Sequence, residues 1–207
     1  GRVRALKALR DEYSSRRNVT GNAVINRNSG GKSGKRIFET EGVDFNFDDN
    51  VLVENLNLLI TRGEKIALIG GNGCGKSTLI KLLLGELEPS QGEIFRGTNI
   101  EVAYFDQHRT VLDLDKSVID VIADGKREVT INGNTRHVMG YLQDYLFSPE
   151  HVNAPVSTLS GGERNRLVLA KLMLKPSNLL VLDEPTNDLD VETLELLESL
   201  LVDYEGT

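Results

Sequence analysis

The sequence predicts an α/β fold with a parallel core sheet, and two features of the chain indicate it. Short apolar runs bounded by turn residues, such as "KIALIG" and "NLLVLDE", have the length of buried strands. Longer amphipathic runs, such as "ERNRLVLAKLML", alternate with them and have the spacing of helices. Because strands that alternate with helices usually pair in parallel, we expect a sheet covered by helices. A chain of 207 residues is long enough for one domain with subdomains.

The individual elements are placed by their apolar pattern and by the residues that end them. The expected strands are "KIALIG", "EIFRG", "EVAYFDQ" and "NLLVLDE". The expected helices are "GKSTLIKLLLG", which Gly85 closes, "ERNRLVLAKLML" and "DVETLELLESLLVDY", whose leucines are expected to pack on the sheet. Residues 112–158 are less regular and are expected to be mostly helical. Within them, "KREVTINGNTRH" is either a contact loop or a polar excursion of the helical part, and the sequence does not decide.

The first 36 residues differ in charge from the rest of the chain. They hold ten Lys and Arg against two acidic residues, whereas the remaining residues hold fourteen against twenty-nine. Residues 1–17 have the pattern of the end of a basic linker helix, and residues 18–36 have the composition of a flexible connector. A basic arm on an acidic body often contacts nucleic acid, but a solvated linker helix explains the composition equally well.

Composition excludes several classes of protein. The chain is 39% hydrophobic and 27% charged, its apolar runs are too short to cross a bilayer, and no N-terminal stretch resembles a signal peptide. The single cysteine, Cys74, excludes an internal disulfide and fits a reducing compartment, so we expect a cytoplasmic location. The three histidines are scattered and have no cysteine partners, so we expect no zinc site.

The run "GGNGCGKST" has the spacing of a phosphate-binding loop between a strand and a helix. Glycines let the backbone wrap closely around phosphates, and the helix start directs free N–H groups at them. We expect Lys76 to supply positive charge to the β- and γ-phosphate oxygens and the Ser77 hydroxyl to bind Mg²⁺. Alkylation of Cys74 is expected to block nucleotide binding. The expected nucleotide-binding residues of this loop are Gly70, Gly71, Asn72, Gly73, Cys74, Gly75, Lys76, Ser77 and Thr78.

Two carboxylates end the predicted strand "NLLVLDE". Asp183 is placed to hold Mg²⁺, and Glu184 is placed to polarise an attacking water. Such a pair is a weak signal by itself. Together with the phosphate-binding loop, it predicts hydrolysis of a nucleoside triphosphate.

A second anion site is indicated by "LSGGERNR". Ser160, Gly161 and Gly162 stand where a helix begins, and a helix start exposes free backbone N–H groups. An ordinary helix with Ser160 as its N-cap explains the serine but leaves the double glycine unexplained.

Taken in order, "GGNGCGKST", "VAYFDQ", "LSGGE" and "LDEPTNDLD" resemble the nucleotide-binding domain of the ABC ATPase superfamily over residues 37–207. The resemblance implies a P-loop NTPase fold with a parallel core sheet, an antiparallel β subdomain and a helical subdomain. It implies ATP as the nucleotide and Mg²⁺ as the cofactor. It also implies that two such domains close head-to-tail, so that Ser160, Gly161 and Gly162 bind the γ-phosphate of ATP held by the partner domain.

The resemblance also assigns roles to residues outside the loop. Gln107 is expected to contact Mg²⁺ and to sense the γ-phosphate, and Asp190 is expected to couple the two sites. Phe47, rather than Phe45, is expected to stack on adenine, although strand alternation places both rings on one face. The expected catalytic residues are Glu184, Lys76 and Gln107, and the expected Mg²⁺ ligands are Ser77, Gln107 and Asp183.

Within the superfamily, "EPTNDLD" resembles the ABC-F branch, and the run from "VAYFDQ" onward looks like the second ATPase domain of a Uup-type member. The resemblance implies a second ABC ATPase domain on the same chain, no membrane segment, and action on ribosomes or nucleic acid. The family has one more strand after Glu184, which ends in a histidine, and this sequence stops where that strand should begin. We therefore expect a truncated fragment that binds Mg-ATP, turns over slowly and is able to form a head-to-tail homodimer.

Two other functions compete with this interpretation. The first is the ATP-binding subunit of an ABC membrane transporter, which a groove for a membrane partner between Gln107 and Ser160 would favour. The second is a regulatory domain that binds ATP without hydrolysing it. The presence of Glu184, a base at the position where hydrolysis needs one, argues against the second.

Overall fold

The computed structural model describes residues 28–47, 50–106, 112–185 and 189–207. These residues form three sheets and five α-helices. The expected basic helix, residues 1–17, and residues 18–27 of the expected connector lie outside the described residues.

An antiparallel sheet of three long strands forms one side of the molecule. It contains β1 (Arg36–Phe47), β2 (Asn50–Thr61) and β3 (Gln91–Arg96) in the order β2-β1-β3. The predicted strand "EIFRG" coincides with β3, so that prediction is confirmed. Gly92 has a φ of +80°, and a Cβ there would overlap the backbone of β1, so β3 reaches β1 only because this residue is glycine.

A parallel sheet lies beside the antiparallel one. It consists of β4 (Val102–Asp106) and β7 (Leu179–Asp183), which run in register so that Asp106 is the partner of Asp183. These strands confirm the predictions made for "EVAYFDQ" and "NLLVLDE". The predicted helix "GKSTLIKLLLG" is confirmed as α1 (Lys76–Leu84), and Gly85 ends it with a φ of +82°.

The remaining elements form a layer of helices interrupted by a hairpin. In chain order they are α2 (Val118–Ala123), β5 (Glu128–Ile131), β6 (Asn134–His137), α3 (Val138–Asp144), a 3₁₀ turn (Val156–Thr158), α4 (Gly161–Met173) and α5 (Val191–Asp203). The helices expected at "ERNRLVLAKLML" and "DVETLELLESLLVDY" are therefore confirmed.

The expectation of a mostly helical stretch over residues 112–158 is wrong, because its helices are short and a β-hairpin separates them. Asn132 and Gly133 join β5 to β6 with φ values of +52° and +77°, the two left-handed residues that a tight hairpin turn requires. The Asn-Gly pair in "INGN" is the sequence signal for this hairpin.

The strand expected at "KIALIG" is also not found. Residues 65–70 form no strand, and Ile69 is 95% exposed. A strand needs a neighbour to pair with its backbone N–H and C=O groups, and none of the strands in the described residues pairs with residues 65–70. The side-chain ammonium of Lys65 donates to the carbonyl oxygens of Tyr204 and Gly206. The α/β class with parallel and antiparallel sheets holds, but the parallel sheet is smaller than expected.

The larger of two apolar clusters holds the helical layer together. Leu196, Leu197 and Leu200 of α5 are buried in it, as their helical spacing predicts. Tyr141 and Tyr145 pack ring to ring at 5.0 Å, and the Tyr141 hydroxyl donates to the carbonyl oxygen of Ala170 in α4. Burial raises the pKa of Tyr141 well above its ordinary value, so this hydroxyl stays a donor.

Candidate functional site

The phosphate-binding loop follows residues 65–70 and leads directly into α1. Gly73 and Gly75 have φ values of +77° and +95°, which residues with a side chain rarely adopt. Gly75 is the N-cap of α1 and supplies no side-chain acceptor, so the first N–H groups of the helix are not capped by it. A Cβ at Gly71 or Gly73 would meet no atom within 4 Å, so the space beside these two residues is open.

The Lys76 ammonium lies over this loop. It donates to the carbonyl oxygens of Gly70 at 3.0 Å and Gly71 at 2.9 Å. Positive charge and helix-start N–H groups therefore occupy one small volume, which is the arrangement that binds phosphates. Ser77 and Thr78 are half-buried in the first turn of α1, next to this charge.

The loop also contains the thiol of Cys74, which is exposed. A Cβ at Gly70 would come within 2.5 Å of the Cys74 sulfur, so the loop closes tightly around this side chain.

The carboxylates at the end of β7 form the second part of the predicted site. Asp183 is half-buried, and its Oδ2 accepts a hydrogen bond from the Tyr104 hydroxyl at 3.2 Å. Glu184 follows with a φ of +49°, an unusual conformation for a residue with a side chain, and its side chain is exposed. Strained backbone of this kind is often found at functional sites. The described residues contain no cluster of three His, Cys, Asp or Glu side chains that could hold a metal by themselves.

Ser160, Gly161 and Gly162 lie at the amino end of α4, as the sequence predicts. Ser160 is the N-cap, and Glu163 completes a capping box in which its Oε2 accepts from both the backbone N–H and the hydroxyl of Ser160. His151 Nδ1 lies 2.9 Å from the other carboxylate oxygen of Glu163. Hydrogen bonds from Ser160 lower the pKa of Glu163.

The two glycines of this segment have different surroundings. A Cβ at Gly162 would overlap the Asp190 carboxylate, whereas a Cβ at Gly161 would meet nothing within 4 Å. Gly162 is therefore required by packing within the chain. Gly161 is not, and the space beside it remains accessible to a ligand.

Asp190 connects α4 to α5. It is the N-cap of α5, where its Oδ1 accepts from the Thr193 N–H at 2.7 Å, and its Oδ2 accepts from Arg166 Nη1 at 3.3 Å. The hydrogen bond from Thr193 is the main cause of a lowered pKa at Asp190, and Arg166 adds to it. Arg166 also contacts Glu192. The amino ends of the two helices are therefore held together by one buried guanidinium.

The sequence predicts two further residues of the site, Gln107 and Phe47. Gln107 follows β4 and lies outside the described residues. Phe47 is the last residue of β1 and is 65% exposed, whereas Phe45, two residues earlier in the same strand, is buried. The exposed ring is the one available to a planar ligand.

Sequence reasoning missed His151, Glu163 and Arg166. The S-x-x-E spacing of Ser160 and Glu163 is a capping-box signal that could have identified Glu163. The contact of His151 with Glu163 has no signal in the sequence. Within the described part of the chain, no helix combines the length and apolar character needed to cross a membrane.

Comparisons with known proteins place these motifs in a family. A family model described as ABC transporter matches residues 53–187. The ATP-binding protein Uup of Escherichia coli (strain K12) is 59% identical over 207 residues, which are 100% of this chain and 33% of that protein. ABC transporter F family member 5 of Arabidopsis thaliana is 43% identical over 179 residues, which are 86% of this chain and 25% of that protein.

A similar solved structure is that of cbiO1 from Clostridium perfringens, part of the ABC transporter complex cbiONQ. It matches with a TM-score of 0.58 at 25% identity and covers 82% of this chain and 74% of that chain. The sequence described here spans about a third of the length of the Escherichia coli relative.

Proposed function

Because this chain belongs to the ABC transporter family, we propose that it binds Mg-ATP at the loop of residues 70–78 and hydrolyses it as one half of a head-to-tail pair of ATPase domains. The observation that carries the proposal is the loop itself. Its left-handed glycines, the open space beside Gly71 and Gly73, and the Lys76 ammonium at the start of α1 favour binding of the phosphates of a nucleotide there.

The reaction assigned to this site is attack of water on the γ-phosphorus of ATP. The bond from that phosphorus to the bridging oxygen breaks, ADP and phosphate leave, and Glu184 accepts the proton of the water. Asp183 and Ser77 are the candidate Mg²⁺ ligands, and the bound ion would neutralise charge on the phosphate oxygens. Asp183 is oriented for this role by the hydroxyl of Tyr104.

Ser160, Gly161 and Gly162 are assigned to the nucleotide of the partner domain. The space beside Gly161 and the helix-start N–H groups of α4 favour an anion there. The pair would form either with a second ATPase domain of a longer protein or with a second copy of this chain. Gln107 and Phe47 complete the proposed site, as the γ-phosphate sensor and the adenine-stacking ring.

For the whole protein, we propose a cytoplasmic ABC-F ATPase that acts on ribosomes or another nucleic-acid assembly. The 59% identity to Uup and the "EPTNDLD" segment support this assignment over a transporter subunit. In the same proposal, residues 1–17 belong to a basic linker helix, residues 18–36 connect it, and residues 37–207 belong to an ATPase domain.

Binding of a fluorescent ATP analogue with Mg²⁺ tests the nucleotide site. The Lys76→Ala variant should lose at least about tenfold in affinity, because the charge over the loop is removed. The matched control is Lys81→Ala, on the last turn of the same helix. Equal affinity in the two variants would contradict the proposal.

Sedimentation tests the proposed target. The Glu184→Gln variant keeps the size of the side chain but removes the base, so ATP-bound protein should accumulate. When this variant is mixed with cell lysate and Mg-ATP, it should sediment with ribosomes. A smaller fraction of it should do so when nucleotide is left out. Sedimentation with membranes would instead favour the transporter subunit, and sedimentation with neither would contradict the ribosome assignment.

A further inference from the structure

Residues 28–34 cross three parts of the molecule, and no proposed step of ATP hydrolysis uses them. We call this segment the strap. It contacts first the β5–β6 turn and the carboxyl end of α4, then the start of β7, and last the antiparallel sheet. At the last contact Ser33 is buried, and its carbonyl oxygen accepts a hydrogen bond from the Arg62 side chain. Its composition predicted a connector, yet its backbone is hydrogen-bonded along most of its length.

The first contact joins Asn28 and Ser29 of the strap to Asn132. The backbone N–H of Asn132 donates to Asn28 Oδ1 at 2.9 Å. Asn132 Oδ1 in turn accepts from both the backbone N–H and the hydroxyl of Ser29, at 2.6 Å and 2.8 Å. The hairpin turn that the sequence left without a role therefore holds the strap.

Asn28 also caps the carboxyl end of α4. The last carbonyl groups of a helix have no partner within the helix. The backbone N–H of Asn28 donates to Met173 O at 3.0 Å, and Asn28 Nδ2 donates to Leu174 O at 3.0 Å. The strap thereby supplies donors that the carboxyl end of α4 would otherwise lack.

The middle of the strap packs closely against the start of β7. The Gly30 N–H donates to Ser177 O, and Asn178 Nδ2 donates to Gly31 O. A Cβ at Gly30 would lie 2.9 Å from the Ser177 carbonyl carbon and 3.1 Å from the Asn178 nitrogen, both backbone atoms. A Cβ at Gly31 would meet nothing within 4 Å. Two adjacent glycines therefore provide a matched pair of substitutions.

We propose that the strap couples the β5–β6 turn and the start of β7 to the amino end of α4. The helix has 13 residues, a length of about 20 Å at 1.5 Å per residue, and its hydrogen-bonded backbone joins its two ends. One end is held by the strap, and the other carries Ser160, Gly161 and Gly162. The assignment of the amino end of α4 as half of a γ-phosphate site rests on the proposed function. The coupling itself does not.

Hydrogen–deuterium exchange of the whole 207-residue chain, without nucleotide, tests the coupling. Asn132→Gly keeps a residue suited to the left-handed turn but removes the acceptor for Ser29, and Gly30→Ala wedges the strap away from β7. Both should speed exchange in residues 28–35 about tenfold, the effect of losing one or two hydrogen bonds. Both should also speed exchange in the first two turns of α4, at least about twofold. Gly31→Ala should change neither.

Two results would overturn the proposal. If residues 28–35 exchange at the same rate in Asn132→Gly and Gly30→Ala as in Gly31→Ala, the contacts with Asn132 and β7 do not protect the strap. If acceleration is confined to residues 28–35, the strap is only a local attachment and does not couple to α4. Because the experiment uses no ATP, its failure is distinct from failure of nucleotide binding, which the Lys76→Ala comparison measures.

Discussion

The Asp190 carboxylate lies where a side chain at residue 162 would have to be, so α4 and α5 meet as they do only because that residue is glycine. The same carboxylate caps α5 through Thr193 and contacts Arg166 of α4. A glycine that the sequence assigns to an anion site therefore has a packing role as well. Gly161, one residue earlier, has no such role.

The contact between Gly162 and Asp190 predicts different stabilities for two neighbouring substitutions. Gly162→Ala displaces the carboxylate, which removes the α5 cap and a partner of Arg166, so the free energy of unfolding should fall by about 2 kcal/mol. Gly161→Ala has room for its methyl group and should leave that free energy unchanged or raise it slightly. Urea denaturation of both variants measures the difference, and equal stabilities would contradict the described packing.

The capping box at the start of α4 predicts a pH dependence. The pKa of Glu163 is lowered below its ordinary value of 4.5 in the folded protein, mainly by hydrogen bonds from Ser160. Its contribution to stability is therefore complete above the unfolded pKa and is lost as the pH falls through the lower folded value.

Substitution of Glu163 by glutamine should remove this contribution. The variant should be less stable than the parent at pH 7, and its stability should change less with pH below about 4.5. Chemical denaturation at a series of pH values measures this, and parallel curves for the two proteins would show that Glu163 does not respond as its contacts require.

The position of Cys74 inside the loop predicts modification that nucleotide prevents. The thiol is exposed, so a maleimide should react with it, and the attached group should block binding of the fluorescent ATP analogue. Mg-ATP should slow the reaction, and the Cys74→Ser variant should bind nucleotide whether or not it is treated. Labelling rates that are the same with and without Mg-ATP would place the nucleotide elsewhere.

Much of this architecture could be predicted from the sequence because local chemistry determines it. Gly85 ends α1, Asn132 and Gly133 carry the signal for a hairpin, and the leucines of α5 are buried at helical spacing. The failure at "KIALIG" has a different cause. An apolar run shows that a segment can be a strand, but it does not show whether a neighbouring strand is present to pair with it.

The parts of the candidate site that sequence reasoning missed depend on contacts between distant residues. His151 approaches Glu163, Arg166 reaches Asp190, and Asn28 reaches Asn132 across 104 positions. No local pattern marks such pairs, because each depends on how separate elements pack together. The phosphate-binding loop, by contrast, is contained in nine consecutive residues and could be found directly.

The central claim is that Ser160 and Gly161 serve ATP held by another domain, and mixing two defective variants tests it most directly. Lys76→Ala disables the loop, and Gly161→Glu puts a negative charge where the partner's phosphate should bind, at a helix start that tolerates an acid. In a head-to-tail pair of the two variants, one composite site is intact. Single-turnover hydrolysis of γ-labelled ATP by the mixture should therefore exceed the sum of the rates of the separate variants. A mixture no more active than that sum would contradict the account.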